Sequence, residues 1–253
     1  MSRQFSREFL LEVQKGKINK HTLVHLDGRN AGVPNGTWEF VNLLEFTAWP
    51  LSAATTVRVK AGGNAADTAA GAGARTVTVT GIDDSFNEVS ETLTLAGASA
   101  SSAGSTSFWR IHKAEVATCG TYGSCNTGNV DIENSGGGSD LIRIAAGEGR
   151  SMFCGWTVPL GKTAHLYTVH VHVDTNKDVD FRIFKRENID DTSAPVSPTV
   201  QLLYFTGING EHIHLTHSPH EAIPAKSDVW IEVKGDAGAG GVSASLELVV
   251  IDD

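Results

Sequence analysis

Four of the ten histidines in this chain are spaced as if for chemistry. His170-Val171-His172 and His212-Ile213-His214 each repeat an imidazole at an interval of two. Side chains alternate across a strand with that period, so each pair presents two imidazoles on one face. Imidazoles so placed can chelate zinc or nickel-like ions, and His217 and His220 follow closely. The residues on the opposite face, Val169, Val171 and Val173 in one segment and Ile213 and Leu215 in the other, are apolar. A half-buried strand turning its polar side to water explains the pattern as well. No cysteine or carboxylate is placed to complete a tetrahedral site, so the expectation is no required metal. A symmetry axis would be the way to gather further histidines.

Other motifs fall short in checkable ways. Asp174, Asn176 and Asp178 begin like a calcium loop, but Val179 stands where glycine is needed and Lys185 where glutamate is needed, so an acidic turn is expected. Gly161-Lys162-Thr163 resembles the end of a phosphate loop, yet Trp156 occupies the position of its first glycine. There is no Gly-x-Ser-x-Gly elbow and no His-Glu-x-x-His. The expectation is a protein that is not an enzyme, with no catalytic residue and no cofactor. Five tryptophans, Trp38, Trp49, Trp109, Trp156 and Trp230, lie in or beside predicted strands, where they serve either as core or as ledges that stack on sugars. Cys119 and Cys125 either meet across a hairpin or stay free with Cys154 as thiols of a protein assembled in cytoplasm.

The elements that would carry these residues are strands. In 253 residues, 20 Lys and Arg stand against 29 Asp and Glu, and a net charge of -9 argues against nucleic-acid binding. No apolar run approaches a membrane span, and the charged opening MSRQFSREFLLEVQKG does not read as a signal peptide. The 27 glycines cluster between β-branched runs, the mark of a turn-rich β protein. Residues 1–30 read as an N-terminal arm: Phe9, Leu10, Leu11 and Val13 share a short helix that Gly16 ends, followed by a strand at Leu23–Leu26 and a turn at Asp27-Gly28. Such a helix cannot stand alone, so these four residues are the candidate partner contacts.

Period-two alternation then sets in at Trp38–Leu43, Thr55–Lys60, Thr76–Thr80 and Glu88–Leu95, with a hairpin loop at Gly81–Asn87. Further strands are expected at Ser107–Ala117, Gly128–Ile132 and Leu141–Ala145. The stretches Ala61–Ala74 and Ala96–Ser105 are built of small residues, read as long loops, and are expected to need neighbouring molecules to hold them. A second set runs through Met152–Val158, Thr163–Val173, Val179–Lys185, Val200–Phe205, Glu211–Thr216, Asp228–Val233 and Ser243–Ile251. The expected fold is all-β: an N-terminal β-sandwich domain over 31–147 and a C-terminal jelly-roll-like domain over 151–253, meeting near Gly147–Arg150.

Several segments together carry a resemblance. They are Arg29–Val41 (RNAGVPNGTWEFV), Val57–Arg75, Asn87–Thr92, Val158–Ala164 and Pro224–Trp230. The chain resembles a group of virion structural proteins from tailed phages, especially marine ones, over most of its length from about residue 5. The resemblance implies a capsid decoration or cement protein, commonly a homotrimer on the major capsid protein lattice, in virions assembled in the host cytoplasm. It carries over no catalytic residue. Tail, fibre and adaptor proteins use similar modules, and a carbohydrate- or receptor-binding module is the alternative from another class, with a polysaccharide depolymerase third.

Overall fold

The computed structural model describes residues 5–44, 51–174, 178–236 and 240–253; the side chains of 5–8 and 217–220 lie outside the description. One helix opens the chain, α1 (Phe5–Gln14), and Gly16, with φ of +68°, stops it in the left-handed conformation that glycine adopts without strain. The strands that follow are β1 (His21–Val33), β2 (Glu39–Phe40), β3 (Thr55–Val59), β4 (Ala74–Ile82), β5 (Glu88–Thr94), β6 (Ser107–Phe108), β7 (Arg110–Cys119), β8 (Val130–Asn134) and β9 (Asp140–Ile144). Then come β10 (Gly155–Thr157), β11 (Lys162–Val173), β12 (Asp178–Arg186), β13 (Thr199–Asn209), β14 (His212–Ile223), β15 (Asp228–Gly235) and β16 (Gly240–Asp252). Every paired strand is antiparallel.

Two sheets, ordered β1-β16-β11-β14 and β10-β15-β12-β13, with β2 also on β15, enclose an aliphatic core that includes Leu26, Leu166, Val171, Phe181, Ile183, Ile231 and Leu246. Leaving β2 aside and counting these eight strands in chain order, the first pairs with the eighth, the second with the seventh, the third with the sixth and the fourth with the fifth. That nesting is a long antiparallel ribbon wrapped on itself, a jelly roll. Its first strand comes from residues assigned to the N-terminal arm, so an arm ending at residue 30 cuts through β1. The predicted turn at Asp27-Gly28 is instead straight strand, paired as Asp27 with Ser245 and Gly28 with Ala244. Glycine stands there for clearance. A Cβ on Gly28 would lie 2.5 Å from the Val41 carbonyl oxygen and 2.9 Å from Cys154 Sγ.

The second sandwich, β3 to β9, enters the chain between the first and second strands of the roll. Its sheets, β6-β3-β8-β9 and β5-β4-β7, close over Val57, Val77, Val79, Phe108, Ile132 and Ile142. Phe153 and Trp230, from the return segment and from β15, complete this core, so the roll and the inserted sandwich share side chains.

The two small-residue loops are held by the chain itself, which corrects the expectation that neighbours must order them. Asp67, 2% exposed, accepts N–H bonds from Ala74 (2.9 Å), Thr127 (2.9 Å) and Gly128 (2.8 Å). The 96–105 loop is tied to β3: the Ser101 N–H donates to the Val59 carbonyl at 3.0 Å, and Ser101 Oγ accepts from the Val59 N–H at 2.9 Å. Glu91 accepts from the Ser105 and Thr106 amides at 2.7 and 3.0 Å. Burial alone would raise the Glu91 carboxyl, but those amides outweigh it and hold it below the usual range. Apolar area was the wrong measure here, because charge-assisted hydrogen bonds supply the order.

Candidate functional site

The outer face of the β1-β16-β11-β14 sheet collects most of the residues singled out from the sequence. At one end α1 lies on β1. Val13 is 2% exposed and packs inside the chain, so of the four candidate contacts it is the one unavailable to a partner. Phe9 meets the His21 ring edge-on at 6.0 Å and stays 36% exposed, and Leu11 is 50% exposed. Leu10 and Leu11 border a groove of about 460 Å³ whose other walls include Leu23, Tyr167 and Val249. The helix therefore docks with one edge and leaves an apolar edge in solvent.

At the other end of the same face stand the histidines. Cross-strand register sets His170 opposite His214 and His172 opposite His212. The His170 and His214 rings stack at 4.3 Å with 10° between planes, and His212 lies 5.7 Å from His170. Burial and the neighbouring imidazole of His214 lower the His170 pKa. Val169, Val171 and Val173 fill the core behind them, as the half-buried strand reading requires. Among the described residues, no group of three or more His, Cys, Asp or Glu side chains is placed to hold a metal ion. The side chains of His217 and His220, and residue Asn176 of the acidic turn, lie outside the described residues.

Where the two sandwiches meet, the structure shows a polar junction that the sequence reading missed. Arg110 and Asp228, each about 2% exposed in its side chain, pair at 3.1 Å, and Thr157 Oγ1 donates to the same carboxylate at 2.5 Å. Burial raises the Asp228 carboxyl and lowers the Arg110 guanidinium, while their mutual attraction opposes both shifts. Next to them His112 accepts the Thr157 N–H at 3.1 Å; burial, then the Arg110 charge, push its pKa down to about 3. These residues come from β7, β10 and β15, so no local spacing marks them. A cleft of about 430 Å³ opens beside the junction, bordered by Asp27, Glu88, Lys113, Arg150 and Trp156, with Arg150 ion-paired to Asp27 at 2.5 Å.

The tryptophans resolve mainly as core. Trp109, Trp156 and Trp230 are 8%, 5% and 9% exposed, and Trp49 lies outside the described residues. Trp38 is half-buried with the Arg182 guanidinium 3.8 Å from its ring centroid, and Tyr204 stands 6.0 Å away. Cys119, Cys125 and Cys154 are all free, and Cys154 is buried with its thiol donating to the Ala244 carbonyl at 3.1 Å. No helix among the described residues is long and apolar enough to cross a membrane.

The fold and its surfaces thus define an all-β jelly-roll protein carrying an inserted sandwich. No protein-family model matches the chain, and no curated protein sequence matches it. Among solved structures, one of infectious bursal disease virus, Gx strain, aligns over 98% of this chain and 76% of its own, at 12% identity and a TM-score of 0.26. T=1 particles derived from infectious bursal virus align over 92% of this chain and 74% of theirs, at 9% identity and a TM-score of 0.24. The strand pairing, not these distant likenesses, defines the roll.

Proposed function

We propose that this chain is a non-enzymatic virion structural protein, a decoration or cement protein that stabilises a phage capsid by contacts with the major capsid protein and with its own copies as a homotrimer. The observation that carries the reading is the architecture: a complete eight-strand jelly roll with a second sandwich issuing between its first two strands. Jelly rolls serve viral capsids, lectins and cupins alike. Here the space between the sheets is filled with Val, Leu, Ile and Phe side chains, which leaves the roll as a scaffold and not a container. The lectin alternative is weakened, because three of the five tryptophans, Trp109, Trp156 and Trp230, are buried. The segment resemblance to tailed-phage virion proteins supports the same role.

The exposed edge of α1, with Phe9 and Leu11, is the contact this reading assigns to the shell. Deleting residues 1–15 should leave the roll and its insert folded, since β1 begins at His21, and should abolish joining to capsids. Quantitative mass spectrometry of purified virions should find hundreds of copies per particle. A handful of copies, or full decoration by the truncated protein, would replace the cement role with a tail or fibre role.

A further inference from the structure

Among the described residues strand β13 ends its sheet, paired with β12 on one side only. It is the only described strand longer than three residues with no Asp, Glu, Lys or Arg, in a chain whose net charge is -9. Edge strands are ordinarily kept from pairing with other chains by charge, proline or shortness. β5 carries Glu88 and Glu91, β9 carries Asp140 and Arg143, and β14 carries Glu221. β13 runs eleven residues, roughly 37 Å at strand spacing, with none of these features. Among the described residues its blunting device is a pair of bulges, where the register with β12 shifts on either side of Leu203–Phe205.

Three of the seven exposed large hydrophobic side chains among the described residues lie at the same place. Val196, Val200 and Tyr204 are 45%, 43% and 45% exposed, and Leu202, Leu203 and Phe205 are only partly covered where they pack on the roll's core. Phe205 stacks on Phe181 at 5.4 Å with 3° between planes and ends the row of core side chains in that direction.

We propose that β13, with Val196, is a two-fold self-association surface whose occupant is β13 of a second copy of this chain. Two acidic copies repel wherever their charged faces meet, and this uncharged strand is where they approach without that penalty. An antiparallel pair of identical strands is self-complementary about a two-fold axis. An axis near Tyr204 sets Leu203 of each copy opposite Phe205 of the other, between the two bulges, and prolongs both cores across the contact. The ladder is short, and apolar side chains supply the rest of the surface. This contact does not depend on the virion role, and it joins copies in twos whether or not they also form trimers.

Sedimentation velocity over a concentration series tests it, with hydrogen exchange measured at both ends of the series. The full chain should dimerise, with amide protection rising at residues 199–209. Val196→Lys with Val200→Lys should weaken the dimer at least tenfold, because it carries charge into an uncharged apolar contact, with position 200 facing Ile208 of the second copy, whereas Leu160→Lys should leave it unchanged. A chain that stays monomeric up to 1 mM overturns the proposal, including one that gains protection at 199–209 only with a different virion protein. A dimer indifferent to the paired lysines overturns it too. If the paired variant fails to fold, exchange on the unmodified chain decides: protection gained away from 199–209 overturns the proposal, and protection gained there supports it.

Discussion

In the jelly roll the outermost pairing joins His21–Asn30 to Val242–Ile251, the two ends of the chain, whereas in the inserted sandwich β4 meets β5 across a loop of a few residues. The roll is stabilised chiefly by aliphatic side chains of both sheets interlocking between them. The insert has its own core, but much of its backbone lies in loops too small-sided to bury anything. There, carboxylate and hydroxyl acceptors such as Asp67, Glu91 and Ser101 order the chain. Non-local pairing closes slowly because loop entropy is lost before contacts form, so the insert can form its hairpins before the roll has joined its ends. The comparison teaches that chain order and structural unit differ: the roll is interrupted, and the interruption is the more local part.

The sharpest way to break that comparison is to remove β1. Deleting residues 1–33 should abolish cooperative melting of the roll, because β16 loses one of its two partners and the core loses Leu26 and Val33, while deleting 1–15 should not. Circular dichroism melting and one amide NMR spectrum of each truncation check this. If the 1–33 deletion melted like the intact chain, the first strand would be an arm after all.

Next in size is the junction. Arg110→Ala leaves Asp228 buried without its cation and should cost roughly 3–5 kcal/mol. Arg110→Met combined with Asp228→Asn should cost much less, which urea unfolding of both variants would show.

Within the insert, Asp67→Ala orphans the amides of Ala74, Thr127 and Gly128 and should cost about 2–4 kcal/mol. The loss should appear in hydrogen exchange as opening of 61–74 and 126–128, with the roll still protected. Uniform loss of protection in both sandwiches would mean that they unfold as one unit.

The smallest effect near neutrality is the pH dependence set by His112. Above pH 6.5 its imidazole is neutral in both folded and unfolded chains and contributes nothing. As pH falls from 6.5 towards 3 the unfolded chain binds a proton that the folded chain refuses, so stability declines by about 1.4 kcal/mol per pH unit. His112→Gln should flatten that part of the stability-pH curve; an unchanged slope would assign it to other groups.

How much of this was legible follows from how far each cause reaches along the chain. Alternation at Thr76–Thr80, Thr163–Val173 and Asp228–Val233 announced strands, because period two is a property of the strand itself. Gly16 announced the end of α1 for the same local reason, and Val169, Val171 and Val173, alternating with His170 and His172, showed that the imidazoles would face outward. The sequence alone therefore determined an all-β protein with a short leading helix, two sets of strands and outward-facing histidines. Only the tertiary structure decided that His21–Val33 belongs with the last strand, because pairing partners are chosen by closure of the whole ribbon. The same holds for Gly28, small because Cys154 and the Val41 carbonyl press against it, and for Asp67, an ordinary loop aspartate until the 126–128 backbone is brought over its carboxylate. Arg110, His112 and Asp228 meet only when the insert folds back onto the roll, and burial, which no spacing records, is what shifts their pKa values most.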